Sequence, residues 1–100
     1  MKKSHYRMRS KVFVYPGMDA WRFLLVPQKE SDEIKKNFGI VKRGWGSIPV
    51  AVTIGGSTWE TSIFPDKRAG AYLLPLKAAV RKKEGIFDDD TVSFLLAIRT

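Results

Sequence analysis

The stretch Ile48-Pro49-Val50-Ala51-Val52-Thr53-Ile54-Gly55-Gly56-Ser57-Thr58-Trp59-Glu60-Thr61-Ser62-Ile63-Phe64 decides the fold. Its first part alternates Ile48, Val50, Val52 and Ile54 with Pro49, Ala51 and Thr53, the period of a strand with one buried face. Gly55-Gly56 is the two-residue connection that a type I′ or II′ turn wants, because such turns need positive φ. Thr58 to Phe64 resumes as a second strand, so 48–64 reads as a hairpin, closed by Pro65. Pro49 cannot donate to a ladder, which suggests an edge or a bulge.

The same reasoning extends outward in both directions. Upstream, Tyr6, Met8, Val12 and Val14 alternate with Arg7, Arg9, Lys11 and Phe13, giving a first strand. Pro16-Gly17 turns the chain into a second short strand, the apolar run Trp21 to Val26, which stops at Pro27. A helix follows, with Glu30, Asp32 and Glu33 early, Lys35 and Lys36 late, and Asn37-Phe38-Gly39 as its stop. It offers Ile34 and Phe38 to the core, an i,i+4 pair. Downstream of the hairpin, Ala71 to Leu74 reads as a brief strand. Pro75 then opens a helix with Leu76, Ala79 and Val80 on one face and Gly85 at its end. Asp88-Asp89-Asp90 turns into a last strand, Thr91 to Ile98, with Val92, Phe94, Leu96 and Ile98 on one face. The order is β, β, α, β, β, β, α, β, and the two four-residue apolar sets of 48–54 and 91–98 are expected to share one core.

An internal repeat is contained in that order. Leu24-Leu25-Val26-Pro27, helix, Gly39-Ile40, strand resembles Leu73-Leu74-Pro75, helix, Gly85-Ile86, strand. Two such units would build a pseudo-twofold barrel with one helix per unit, and closure would hide the sheet edges. The alternative is that prolines before and glycines after short helices are ordinary punctuation.

The composition limits what the domain can do. One hundred residues leave room for one domain, 1–100, and a hydrophobic fraction of 44% is ample for its interior. There is no cysteine and a single histidine, His5, which removes disulfides, thiolate chemistry, cysteine and multi-histidine metal sites, and most histidine-centred catalysis. Neither a signal-like run in 1–20 nor a bilayer-length apolar stretch occurs, so the expectation is a cytoplasmic protein of bacterial type with no membrane contact. Lys and Arg number 18 against 10 Asp and Glu, a net charge of +8 that favours an anionic partner.

Pro75-Leu76-Lys77-Ala78-Ala79-Val80-Arg81, Gly85-Ile86 and Asp90-Thr91-Val92 look like the AbrB-type signature of Pro, helix with Arg, Gly-Ile, Gly-Asp and strand. A wider set, Trp21, Pro27, Arg43-Gly44-Trp45-Gly46-Ser47, Ile54-Gly55-Gly56, Trp59, Thr61-Ser62 and Leu74-Pro75-Leu76-Lys77, resembles a single-domain bacterial family of unknown function related to the AbrB/MazE-type double-split barrels. That resemblance implies a mostly β (α+β) fold, a pseudo-twofold double-split β-barrel of about six strands capped by two short helices. It also implies that one chain completes the barrel, whereas AbrB-type DNA binders use two chains. Asp89 departs from the pattern, which places Gly before the Asp now at Asp90; Asp tolerates a left-handed turn better than most residues. The family implies no activity.

The residues themselves offer four constellations. The first is basic: Lys2, Lys3, Arg7, Arg9, Lys11, Lys42-Arg43, Lys67-Arg68, and Lys77, Arg81, Lys82 and Lys83. Clustered cations suit phosphate backbones, and the competing reading is a solvated exterior. The second is Trp45 between two glycines beside Arg43, either a stacking platform or a plug for one barrel end. The third sets Thr61 and Ser62 with Lys77 or Arg81 as a hydroxyl and cation pocket for a small anion, against the reading of ordinary strand hydroxyls. The fourth, Asp88 to Asp90, lacks metal-loop spacing and reads as a turn, and His5 is assigned no role.

The sequence therefore points to a non-catalytic binding module, monomeric, with no metal and no cofactor. Its binding residues would be Arg43, Trp45, Thr61, Ser62, Lys77 and Arg81. An AbrB-type nucleic-acid-binding regulator is the alternative, and a small-cleft enzyme would require an anion held by Thr61, Ser62, Lys77 and Arg81.

Overall fold

The structure is a computed structural model and describes residues 4–17, 20–39 and 46–99. Its elements are β1 (His5–Val14), β2 (Arg22–Leu25), α1 (Gln28–Phe38), β3 (Ile48–Ile54), β4 (Ser57–Asp66), β5 (Ala71–Pro75), α2 (Ala78–Glu84) and β6 (Thr91–Ile98). The strands close an antiparallel barrel in the order β1-β2-β5-β4-β3-β6. Alternation places Ile48, Val50, Val52, Ile54, Val92, Phe94, Leu96 and Ile98 in one buried cluster, as the sequence leads one to expect.

The two long strands are shared between two sheets. β1 pairs with β6 from His5 to Lys11 and with β2 from Val12 to Val14. β4 pairs with β3 from Ser57 to Ile63 and with β5 from Phe64 to Asp66. Sheet I thus contains the first parts of β1 and β4 with β6 and β3. Sheet II contains their last residues with β2 and β5.

Exchanging β1 with β4, β2 with β5, and β3 with β6 maps this pairing onto itself. The axis runs through the Leu24–Leu74 pair in sheet II and the Thr53–Leu95 pair in sheet I. Side bonds obey the same exchange: Val26 N donates to Tyr72 O at 2.9 Å, and its equivalent Leu76 N donates to Arg22 O at 2.8 Å. The ladder passes through all six strands, with residues 5–11 of β1 and 57–63 of β4 paired on one side only, because each strand changes partner part-way along.

Both helices cover the barrel interior. α1 carries Glu30 in its first turn and Lys35 and Lys36 in its last, complementing the helix dipole. It buries Ile34 and Phe38, each worth about 1.5–3 kcal/mol of apolar burial, and also Ser31. α2 buries Val80 and ends at Gly85, whose φ of 63° is the left-handed conformation of a glycine cap. Glu84 Oε2 accepts from Ser57 Oγ at 2.6 Å, tying the end of α2 to the β3–β4 turn.

Several element boundaries differ from the reading of the sequence. Pro65 does not close β4, because the strand continues to Asp66 by changing partner from β3 to β5. Pro75 belongs to β5, opposite Phe23, and α2 begins only at Ala78. Ala79 is exposed. β3 lies between β4 and β6, so Pro49 is not at a sheet edge. It stands past the Val50–Ile98 rung, where Arg99 N donates to Pro49 O at 2.9 Å and the reciprocal bond is one that proline cannot make.

Candidate functional site

Four of the six expected site residues, Thr61, Ser62, Lys77 and Arg81, are among the described residues. Arg43 and Trp45, with Lys2, Lys3 and Lys42, lie outside the described residues. Thr61 pairs with inward-facing Val50, whereas Ser62 pairs with Pro49 on the outer side, so the two hydroxyls diverge to opposite faces of β4. Lys77 is exposed immediately before α2. Arg81 is half-buried and turns its Nε back to Leu76 O at 3.3 Å. Its twofold equivalent, Ser31, donates from Oγ to Val26 O at 2.8 Å, so both side chains fasten a helix to the strand before it.

The basic segments lie on different elements, and Lys11 and Arg68 border one groove. Arg7, Arg9 and Lys11 form an exposed outward row on sheet I, opposite Leu95, Ser93 and Thr91. Neither ion pair among the described residues, Arg22–Asp88 and Arg99–Glu60, involves that row. Glu84 ends α2, and Asp88 to Asp90 lie in the connection from α2 to β6. Lys67 and Arg68 belong to the β4–β5 turn beside sheet II. The three aspartates serve separately: Asp88 pairs with Arg22 at 2.6 Å, Asp89 takes a positive φ, and Asp90 Oδ2 accepts from Phe87 N at 2.7 Å. Among the described residues no group of three histidines, aspartates or glutamates could hold a metal ion, and no helix is long and apolar enough to cross a membrane.

A different surface gathers side chains, the outer face of sheet II. Core-facing Val12 pairs with core-facing Leu24, so the next rung, Phe13 with Phe23, points outward. Leu25 and Leu73 face outward together, and Phe64 sits opposite Leu73. Phe13, Tyr15 and Phe23 form an aromatic cluster with ring centroids 6.0 to 6.4 Å apart, in tilted and edge-on arrangements. Phe23 is only 7% exposed although it faces away from the core, while Trp21 is 51% and Phe64 39% exposed.

Two grooves cross this face and share Tyr15. The first, about 420 Å³, is lined by Tyr15, Trp21, Phe23, Phe64, Leu73 and Pro75. The second, about 470 Å³, runs past Phe13 and Leu25 to Lys11, Asp66 and Arg68. Tyr15 OH donates to Asp66 Oδ1 at 2.8 Å, bridging the end of β1 to the end of β4. That bond, followed by loss of solvent and the Asp66 charge, raises the phenol above its ordinary range, and nearby Arg68 opposes the shift. The second groove also reaches Ser10, whose buried Oγ has no protein partner; Ser10 lies where β1 passes from sheet I to sheet II.

The sequence carried two signals for this surface. The outward positions of β1 change from cations at Arg7, Arg9 and Lys11 to an aromatic at Phe13. Phe23 to Val26 and Ala71 to Leu74 are also continuous apolar runs, the pattern of strands covered on both faces. In comparison with known proteins, no protein of curated function matches the chain. A family model does match across both sheets, and the chain therefore belongs to the family described as a domain of unknown function (DUF1905), matched over residues 9–96.

Proposed function

We propose that this domain is a non-catalytic binding module whose working surface is the aromatic outer face of sheet II. The observation that carries this reading is a short sheet that is apolar on both sides, with Trp21 51% exposed and Phe64 39% exposed around a carbon-lined groove. A second apolar face is more than one buried core requires, and exposed patches of this kind mark binding sites. Among the described residues the only titratable group lining the first groove is Tyr15, and its proton is engaged by Asp66, which supports binding over proton transfer.

Chemical-shift mapping with a neutral aromatic fragment, indole, tests the reading. Perturbations are expected to concentrate at Trp21, Phe23, Phe64 and Leu73, and Trp21→Ala is expected to remove them with little change in melting temperature. Perturbations scattered over the barrel or confined to sheet I would refute it.

A second reading keeps the anionic partner, including a nucleic acid bound in the manner of AbrB-type relatives. It is favoured by the row Arg7, Arg9 and Lys11, which has no carboxylate among its cross-strand partners Leu95, Ser93 and Thr91. Kinship with AbrB/MazE barrels is supported by the split strands and the twofold, achieved here within one chain. Binding through that row would fall steeply with salt and persist in Trp21→Ala.

A further inference from the structure

The size of the aromatic face limits its occupant. Four strands about 4.8 Å apart and three or four residues at about 3.3 Å each give a face of roughly 200–300 Å². A stable interface between two copies buries about 800 Å² on each partner. The face suits a small ligand or a few residues of an extended peptide.

Chemistry narrows the choice further. The first groove is walled by side-chain carbon, so an ordinary peptide backbone laid on it would leave N–H donors unpaired. Both grooves lie on the face of sheet II, so an occupant meets side chains there rather than a strand margin. Proline has no N–H, and a polyproline II chain turns its carbonyls to water while presenting pyrrolidine rings to a surface. Such a chain repeats every three residues, about 9 Å, and so offers successive ring clusters to successive depressions. Here two depressions adjoin across one ring, Tyr15, held upright by Asp66.

Charge sets the flank. Lys11 and Arg68 border the second groove, and the one carboxylate there among the described residues, Asp66, is already bonded by Tyr15 OH and by Ala69 N at 3.0 Å. Resting on the binding-module reading above, we propose that the outer face of sheet II binds a short proline-containing peptide in the polyproline II conformation. Its prolines fill the Tyr15–Trp21–Phe64 groove and an acidic residue lies over Lys11 and Arg68.

The test titrates the full labelled chain with three capped probes: hexaproline followed by two aspartates, hexaproline followed by two lysines, and hexa-alanine followed by two aspartates. The first is expected to shift the Trp21 indole N–H and the Phe64 and Leu73 amides and to bind at least tenfold more tightly than either of the others. Trp21→Ala should weaken it at least tenfold. Arg68→Glu should reverse the preference between the aspartate and lysine probes, a change that simple unfolding cannot produce. Equal binding of the alanine probe would show attraction by charge alone and overturn the proposal. Failure of all three probes while indole still maps to sheet II would overturn the peptide and leave the module reading intact. If indole fails as well, both are wrong. Concentration-dependent shifts of these residues without any probe would assign the face to a second copy and overturn the proposal.

Discussion

Asp89 is the only described residue other than glycine with a positive φ, 68°. It is held there because its N–H donates to Val12 O at 3.1 Å, which locks the turn before β6 onto β1. The sequence resemblance places glycine at this position, and the observed backbone supplies the reason: a left-handed residue is required. Asp89→Gly should be neutral to within about 0.5 kcal/mol, since relief of strain is offset by a freer unfolded chain. Asp89→Val should cost about 1–2 kcal/mol, because a β-branched residue is poorly accommodated there. Urea denaturation of both variants checks the pair. At this scale the sequence was a good guide to backbone demands, whereas the direction of each polar side chain needed the strand register. Thr61 and Ser62 are adjacent in the chain but face opposite ways, and Arg81 is engaged with Leu76 O.

Each helix is fastened to the strand before it, and the two fasteners differ in chemistry. Ser31 Oγ donates to Val26 O at 2.8 Å and accepts Tyr72 N at 3.0 Å, so one hydroxyl satisfies two buried backbone groups. Ser31→Ala leaves both without that partner and should destabilise the chain by about 1–3 kcal/mol, measured by chemical denaturation. Elements with one buried face were legible: β3 and β6 alternate cleanly, and their inward residues are those the pattern names. Sheet II was less so, because a strand apolar on both sides has no period to read. The prolines misled for a related reason. Pro65 and Pro75 read as stops, yet each lies in a strand that borders sheet II, opposite Tyr72 and Phe23 respectively.

The barrel as a whole places all three tyrosines where ionisation is disfavoured. Burial raises Tyr6 and Tyr72 above the ordinary value of 10.0, helped at Tyr6 by the Glu33 charge and opposed by a hydrogen bond with Asn37. Tyr15 is raised chiefly by its hydrogen bond to Asp66. A phenol whose pKa is higher in the folded chain gives its full stabilisation below pH 10 and loses it as pH climbs toward the folded value. Stability should therefore carry no tyrosine-linked slope near neutrality and fall above pH 10. Phenolate absorbance should then rise together with loss of the far-ultraviolet dichroism of the strands. Phenolate appearing at pH 10 in a chain that stays folded would contradict this. The twofold has one more consequence, seen where β1 and β4 end. Tyr15 and Asp66 occupy equivalent positions in the two halves, and one donates to the other. A barrel assembled from two identical subunits would have to set tyrosine against tyrosine or carboxylate against carboxylate at that point. Encoding both halves in a single polypeptide allows unlike partners to meet across the axis, so a symmetric scaffold acquires a polarity.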